Sequence, residues 1–129
     1  MPTVARVLIV EDDADVRDWV AHCMLSDGHE IRGVPDGASL RRLQGDEPDY
    51  RPDLVLMDYA LPDVDGVALL AELEEGWPDV AAVFVTVQWT GEVIDRIDRT
   101  GRERIAKPFQ PDDLRAAARR ALGTGGRQE

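Results

Sequence analysis

The chain has 129 residues and a formal net charge of −11 at pH 7, and 43% of its residues are hydrophobic. This length favours a single domain with a hydrophobic core. The acidic balance argues against non-specific nucleic-acid binding, which needs a basic surface, and against docking on an anionic membrane. No apolar run approaches membrane-spanning length, the N-terminus lacks the form of a signal peptide, and one cysteine allows no internal disulfide. We therefore expect a cytoplasmic protein whose partners are proteins or cations.

Strand-like runs alternate with helical segments along the whole chain. The strands are predicted at 6–10, 30–34, 53–57, 80–86 and 102–106, and the helices at 13–27, 36–45, 66–76, 91–101 and 111–123. The first, third and fourth strands are apolar without alternation, which is typical of strands buried on both faces of a parallel sheet. The alternation predicts a parallel sheet with helices on both faces. We assign residues 1–123 to this domain and 124–129 to a flexible tail.

Polar residues stand where the predicted strands end. They are Glu11, Asp12 and Asp13 after the first strand, Asp58 after the third, Thr86 at the end of the fourth, and Lys107 after the fifth. In an open parallel sheet these positions share one edge, where sites form. Each alone has a simpler explanation, such as a helix cap or a turn, and Asp13 keeps that explanation as the cap of the first helix. Their joint occurrence in this order is hard to explain as separate accidents.

The chemistry of this set points to phosphoryl transfer. Clustered carboxylates repel each other unless a cation lies between them. Oxygen ligands without His or Cys favour Mg²⁺ or Mn²⁺ over zinc. A lysine and a threonine beside such a metal are suited to hold a phosphoryl group, and a carboxylate can form an acyl phosphate. The set therefore predicts a magnesium-dependent aspartyl-phosphate site.

The motifs VLIVEDD, LVLMDYALPDVDG, VFVT and AKPF resemble those of the receiver domain of bacterial two-component response regulators, the CheY-like family. The resemblance covers about residues 4–122. It implies an α/β, flavodoxin-like, doubly wound sheet of five parallel strands with (βα)5 connectivity. It also implies that Asp58 accepts a phosphoryl group from a histidine kinase, a histidine phosphotransfer protein or a small phosphodonor.

The resemblance further implies the roles of the neighbouring residues. Asp12 would ligate Mg²⁺ directly and Glu11 through water, together with Asp58 and the backbone carbonyl of Ala60. The residues implied to contact the phosphoryl oxygens are Thr86 and Lys107, and Lys107–Pro108 resembles the cis peptide of the family.

The sequence departs from the family around the fourth helix and the fifth strand, where receivers commonly signal. Arg104 stands where the family usually has an aromatic switch residue, and Val87 replaces the usual small residue after the threonine. Two interpretations of Arg104 stay open at this point. Its guanidinium bridges to an acid of a partner or of this chain, or it is a solvated arginine of an edge strand.

Two positions that line the approach to the phosphate bear on the lifetime of the modified form. They are Ala60 and Gln88. The amide of Gln88 can orient an attacking water, but the methyl group of Ala60 cannot. Because of Ala60, we expect slow self-dephosphorylation. Trp89 is either a partner anchor on the signalling face or a half-buried loop aromatic. Remaining single residues are predicted as core (Trp19, Cys23) or as structural or surface positions (His22, His29).

Three functions compete. The first is a single-domain response regulator, not a classical enzyme, which binds a downstream protein target as a monomer or weak homodimer; only a short tail follows Leu122, so we expect no output module. The second is a phosphatase of the haloacid dehalogenase type, which needs an acid at the position of Ala60. The third is a receiver-fold interaction scaffold that acts without phosphorylation. A dinucleotide-binding domain is disfavoured because no G-x-G-x-x-G follows the first strand.

Overall fold

In the computed structural model, which describes residues 4–87 and 90–124, five strands alternate with five helices as predicted. The elements in chain order are β1 (Arg6–Val10), α1 (Ala14–Ser26), β2 (Glu30–Val34), α2 (Gly37–Asp46), β3 (Leu54–Met57), α3 (Gly66–Gly76), β4 (Ala81–Thr86), α4 (Gly91–Arg99), β5 (Glu103–Ala106) and α5 (Pro111–Thr124). Helix α4 ends earlier than predicted because Gly101 adopts a φ of 75°, which breaks the helical path. Helix α5 includes Thr124, and the rest of the predicted tail lies outside the described residues.

The five strands form one parallel sheet in the order β2-β1-β3-β4-β5. This is the doubly wound, flavodoxin-like order. Strand β2 is added on one side of β1 and the later strands on the other, so the point at which the strand order reverses lies between β1 and β3. In the register, Val10 lies beside Met57, and Thr86 lies beside Ala106. The carboxyl ends of β1, β3, β4 and β5 therefore meet along one edge of the sheet, which we call the rim.

Successive residues of each central strand enter two different cores. In β1, Val7 and Ile9 pack with helices α1 and α5, whereas Leu8 and Val10 pack with α2, α3 and α4. All four side chains are almost fully buried. This explains the absence of polar alternation in β1, β3 and β4, since helices cover both faces of these central strands. Each such side chain contributes about 1.5–3 kcal/mol of burial.

Of the two residues of helix α1 that were predicted to lie in the core, one is buried and one is not. Cys23 is fully buried, as predicted. The prediction that Trp19 belongs to the core is wrong, because its side chain is 45% exposed and its ring stacks on that of His22 with the centroids 5.9 Å apart. The buried stripe of α1 runs through the next position, Val20. The helical spacing in the sequence suited both residues and did not distinguish them.

The other histidine has a structural role. His29 is buried, and its Nδ1 accepts a hydrogen bond from the backbone N–H of Ala5 at 3.0 Å. Trp77 is also buried, and its ring meets that of Tyr50 edge-on with centroids 6.2 Å apart.

No helix within the described ranges has the length and apolar character to cross a bilayer.

Candidate functional site

The sheet hydrogen bonds extend one residue beyond the strands and thereby fix the backbone of the rim. The N–H of Asp58 donates to the carbonyl of Val10 at 3.1 Å, so Asp58 is held against the end of β1. The N–H of Lys107 donates to the carbonyl of Thr86 at 3.1 Å, which holds it against the end of β4. The peptide between Lys107 and Pro108 is cis, as the resemblance implied. Both side chains therefore start from rigid backbone.

Lys107 connects the two buried carboxylates of the rim. Its Nζ lies 2.7 Å from Oε1 of Glu11 and 2.8 Å from Oδ2 of Asp58. The side chains of Lys107, Glu11 and Asp58 are only 12%, 5% and 8% exposed. Both contacts are charge-assisted hydrogen bonds in a place that water screens little. The predicted meeting of an ammonium and two carboxylates, 49 and 96 positions apart in the chain, is thus present in the structure.

Burial and pairing act in opposite directions on the charges of the rim. Burial lowers the pKa of Lys107, but the hydrogen bonds to Asp58 and Glu11 more than offset it, so the net pKa is raised. For Glu11, burial raises the pKa and the hydrogen bond from Lys107 offsets only part of this, so the net pKa is raised as well. Lys107 therefore stays protonated, and Glu11 holds its charge less readily than an exposed glutamate.

The acidic residues of the rim fit a hard divalent cation. Carboxylate oxygens of Glu11, Asp12 and Asp58 all lie within 4.8 Å of one another, and Asp12 is exposed while the other two are buried. Together with Lys107 these three groups keep two negative charges that are not compensated within the set. Oxygen ligands of this kind, partly open to water, suit Mg²⁺, which retains several waters and accepts a few carboxylates. The role of the Ala60 carbonyl as a further ligand stays a prediction.

The loop after Asp58 is closed by its own hydrogen bonds. The N–H of Ala60 donates to Oδ1 of Asp58 at 3.1 Å, and Ala60 and Asp65 form an isolated antiparallel bridge. The N–H of Gly66 donates to the carbonyl of Tyr59 at 2.6 Å. Asp65 also caps α3, since its Oδ1 accepts from the N–H of Ala68 at 2.8 Å. Both oxygens of the Asp58 carboxylate are therefore oriented, one by Lys107 and the other by this loop.

Three side chains support the rim that sequence reasoning did not single out. Asp63 accepts hydrogen bonds from the N–H groups of Gly37 and Ala38 at 3.0 and 2.9 Å, and these bonds, with that of Gly37 first, lower the pKa of Asp63. It thereby ties the Asp58 loop to the start of α2. Arg17 donates to the carbonyl of Glu11 at 2.7 Å. The third is Arg96, described below. No signal in the sequence relates Asp63 and Arg96 to their partners, which lie 25 or more positions away.

Asp13 has the role that was predicted for it. Its Oδ1 accepts hydrogen bonds from the N–H groups of Asp15 and Val16, at 2.9 and 3.2 Å, and so caps α1. It is not one of the three carboxylates that converge within 4.8 Å. The acid pair of the site is therefore Glu11 and Asp12.

Of the residues predicted on the partner face, only Arg104 can be placed. Its Nε donates to Oδ1 of Asp98 on α4 at 2.7 Å, and its Nη2 lies 3.4 Å from Oδ2. The interpretation in which Arg104 bridges to an acid of this chain is therefore confirmed. Thr86 is fully buried at the end of β4, and Val87 is exposed. Gln88 and Trp89 lie outside the described residues.

Comparison with known proteins agrees with this architecture. The family model described as "Response regulator receiver domain" matches residues 7–119. The chain is 30% identical to the chemotaxis protein CheY of Bacillus subtilis over 91% of this chain and 97% of that protein. It is 29% identical to the regulatory protein AtoC of Escherichia coli over 95% of this chain, which corresponds to only 26% of AtoC. A CheY-like receiver domain protein from Methanospirillum hungatei has a TM-score of 0.82 at 25% identity, covering 94% of this chain and 95% of that one. The chain therefore belongs to the response regulator receiver domain family.

Proposed function

We propose that Asp58 accepts a phosphoryl group from a histidine kinase or a histidine phosphotransfer protein, and that this modification switches the binding of a downstream protein. The observation that carries the proposal is the orientation of the Asp58 carboxylate. It is nearly buried at the rim, Lys107 holds one oxygen, the Ala60 N–H holds the other, and Glu11 and Asp12 converge beside it. A carboxylate positioned in this way is suited to act as a nucleophile at a single, defined place.

The proposed step is a displacement at phosphorus. An oxygen of the Asp58 carboxylate forms a bond to the phosphorus of a phosphohistidine, and the N–P bond of the donor breaks. The electron pair stays on the imidazole nitrogen, which takes a proton from solvent. Lys107, already within 2.8 Å of Asp58, balances the charge of the transferred group, and Thr86 offers a hydroxyl.

Magnesium belongs to the same proposal. Glu11, Asp12 and Asp58 would hold Mg²⁺, which when bound supplies positive charge to the phosphoryl oxygens. Self-dephosphorylation is a separate displacement, in which water attacks the phosphorus, the bond between the Asp58 oxygen and phosphorus breaks, and inorganic phosphate leaves while a proton of the water passes to solvent. Because Ala60 offers no polar side chain to orient that water, we propose that self-dephosphorylation is slow. Its rate in Ala60→Asn, compared with the parent, tests this; an unchanged rate contradicts it.

The main test is the intact mass of the protein after incubation with acetyl phosphate and Mg²⁺. We expect one phosphoryl group on the parent, none on Asp58→Asn, and none on the parent in excess chelator. Asp49→Asn is the matched control, because it makes the same chemical change at an exposed loop before β3, at the other end of the sheet, and it should behave like the parent. Absence of the group from the parent, or its presence on Asp58→Asn, contradicts the proposal.

Two observations bear on how the protein acts. The chain matches CheY over nearly the whole length of both and matches about a quarter of the larger AtoC, and in both cases the matched part is this one receiver domain. A second candidate is an interaction scaffold that needs no phosphorylation. It is favoured by Arg104, which stands at the usual aromatic switch position and is held in an ion pair with Asp98. The mass experiment separates the two, since the scaffold takes no phosphoryl group. We further propose a cytoplasmic location for either form.

A further inference from the structure

One side chain of α4 reaches the loop that follows Asp58. The Nη1 of Arg96 lies 3.2 Å from the hydroxyl oxygen of Tyr59 and 3.2 Å from Oδ2 of Asp65. The guanidinium also lies over the Tyr59 ring, 5.9 Å from its centroid. All three side chains are partly buried. A single nitrogen thus contacts both ends of the loop, because Tyr59 directly follows Asp58 and Asp65 directly precedes α3.

The loop leaves little freedom between Asp58 and these two contacts. Oδ1 of Asp58 accepts from the N–H of Ala60, and Ala60 is bridged to Asp65. The start of α3 also packs tightly against Asp58, since a Cβ added at Gly66 would lie only 2.6 Å from the carbonyl oxygen of Asp58. A phosphoryl group on Asp58 removes the charge of one carboxylate and adds a larger anion beside it. The Ala60 bond must then change, and the change is passed to Asp65 and so to Arg96.

The position of the usual aromatic switch carries a charged side chain in this protein. Arg104 occupies it, and its guanidinium is paired with Asp98 at the protein surface. A charged group cannot exchange between a buried and an exposed rotamer as a ring can, because its burial without a partner is costly. The pair with Asp98 connects β5 to α4 at the surface, whereas Arg96 contacts the Asp58 loop directly.

We propose that Arg96 is the residue through which the state of Asp58 reaches α4 in this protein. The inference rests on the proposed function, because it needs Asp58 to be modified. In the unmodified protein Arg96 holds α4 against Tyr59 and Asp65. Modification displaces these two acceptors. The local stability of α4 and the surface that it exposes to a partner then change. Two elements with discrete contacts, biased by one chemical event, are the physical requirement for such coupling.

The test is amide hydrogen exchange of residues 91–99 with and without beryllium fluoride and Mg²⁺, a non-covalent mimic of the phosphoryl group. We expect the mimic to change exchange in α4 at least about fivefold in the parent, the lower range of allosteric coupling. In Arg96→Gln the change should fall below about twofold, and in Arg96→Lys, which keeps one charged nitrogen, most of it should return. Arg99→Gln is the matched control: it removes the same charge from the same helix, and Arg99 forms no ion pair with the part of the chain described here.

The outcomes separate the inference from the function on which it rests. If acetyl phosphate leaves the parent unmodified, the proposed function fails and the inference fails with it. If the parent is modified but Arg96→Gln shows the full response of α4, the inference is overturned and the function stands. Tyr59→Phe removes only the hydroxyl that Arg96 contacts, so it replaces Arg96→Gln should that variant prove unstable by thermal melting; a response of α4 equal to that of the parent in Tyr59→Phe then rejects the role of Arg96.

Discussion

Three helices of this protein begin with a glycine, and the structure predicts that only some of these glycines are needed. Helices α2, α3 and α4 start at Gly37, Gly66 and Gly91. A Cβ at Gly66 would lie 2.6 Å from the carbonyl oxygen of Asp58 and 3.0 Å from the Cα of Tyr59, both backbone atoms. A Cβ at Gly91 meets no heavy atom of the described residues within 4 Å. We therefore expect Gly66→Ala to destabilise the protein and Gly91→Ala to stabilise it.

The two effects have separate physical sources. Replacing a helical glycine by alanine favours the folded state by about 0.5–1 kcal/mol, because the unfolded chain loses freedom. Overpacking against backbone that cannot rotate away costs about 1–3 kcal/mol. The net expectation is a loss of up to about 2.5 kcal/mol at Gly66 and a gain of about 0.5–1 kcal/mol at Gly91. With a urea m-value of about 2 kcal/mol per M, the midpoint should fall by up to about 1.2 M for Gly66→Ala and rise by about 0.3–0.5 M for Gly91→Ala.

Urea unfolding followed by far-UV circular dichroism, in chelator so that no metal contributes, measures both shifts. Gly37→Ala provides an intermediate case, since its Cβ would meet a methyl group of Val64 at 2.8 Å and a side chain can move more readily than backbone. The expected order of stability is Gly91→Ala, then Gly37→Ala, then Gly66→Ala. If Gly66→Ala is as stable as Gly91→Ala, the start of α3 does not confine the Asp58 loop, and the reasoning is refuted.

Three further predictions follow from burial. Trp77→Ala should cost about 3–5 kcal/mol of unfolding free energy and Trp19→Ala less than about 1, since Trp77 is buried and Trp19 is not; equal losses in urea unfolding contradict this. The hydroxyl of Tyr50 is buried with no hydrogen-bond partner in the described chain, so Tyr50→Phe should raise stability by about 0–1 kcal/mol, and a clear loss shows an unseen partner. Lys107→Met leaves two buried carboxylates without their cation, so it should cost about 3 kcal/mol in chelator and less in Mg²⁺; an equal deficit in both media argues against a metal beside Asp58.

The rim was predictable because two simple regularities determine it. Unbroken apolar runs identified the buried strands, and parallel strands place the residues after them along one edge. Glu11, Asp58 and Lys107 meet in the structure as this argument required, although they are far apart in the chain. The same logic assigned Asp13 to the cap of α1, since a carboxylate at that place satisfies free helix N–H groups.

The contacts that were not predicted depend on the rotation of helices and on long side chains. Trp19 and Val20 both suit a helical apolar stripe, and a small rotation of α1 decides which of them is buried. The partners of Arg96 lie 31 and 37 positions earlier, and a guanidinium on a flexible stem reaches several acids of an acidic surface equally well in principle. Pairing of Arg104 with Asp98 was one of two open interpretations for the same reason.

The charges of the rim do not favour the unmodified protein as much as they could. Three carboxylates converge at the rim while Lys107 contacts only two of them, and burial raises the pKa of Glu11 even though Lys107 is hydrogen-bonded to it. A side chain without charge at Glu11 would avoid this cost, because an imperfectly compensated buried charge stabilises a fold poorly. What the arrangement provides is a surplus of negative charge beside an oriented carboxylate. A cation that binds only the folded state would remove the conflict and stabilise that state, so we expect the same electrostatic imbalance that weakens the domain without metal to make its stability depend on Mg²⁺.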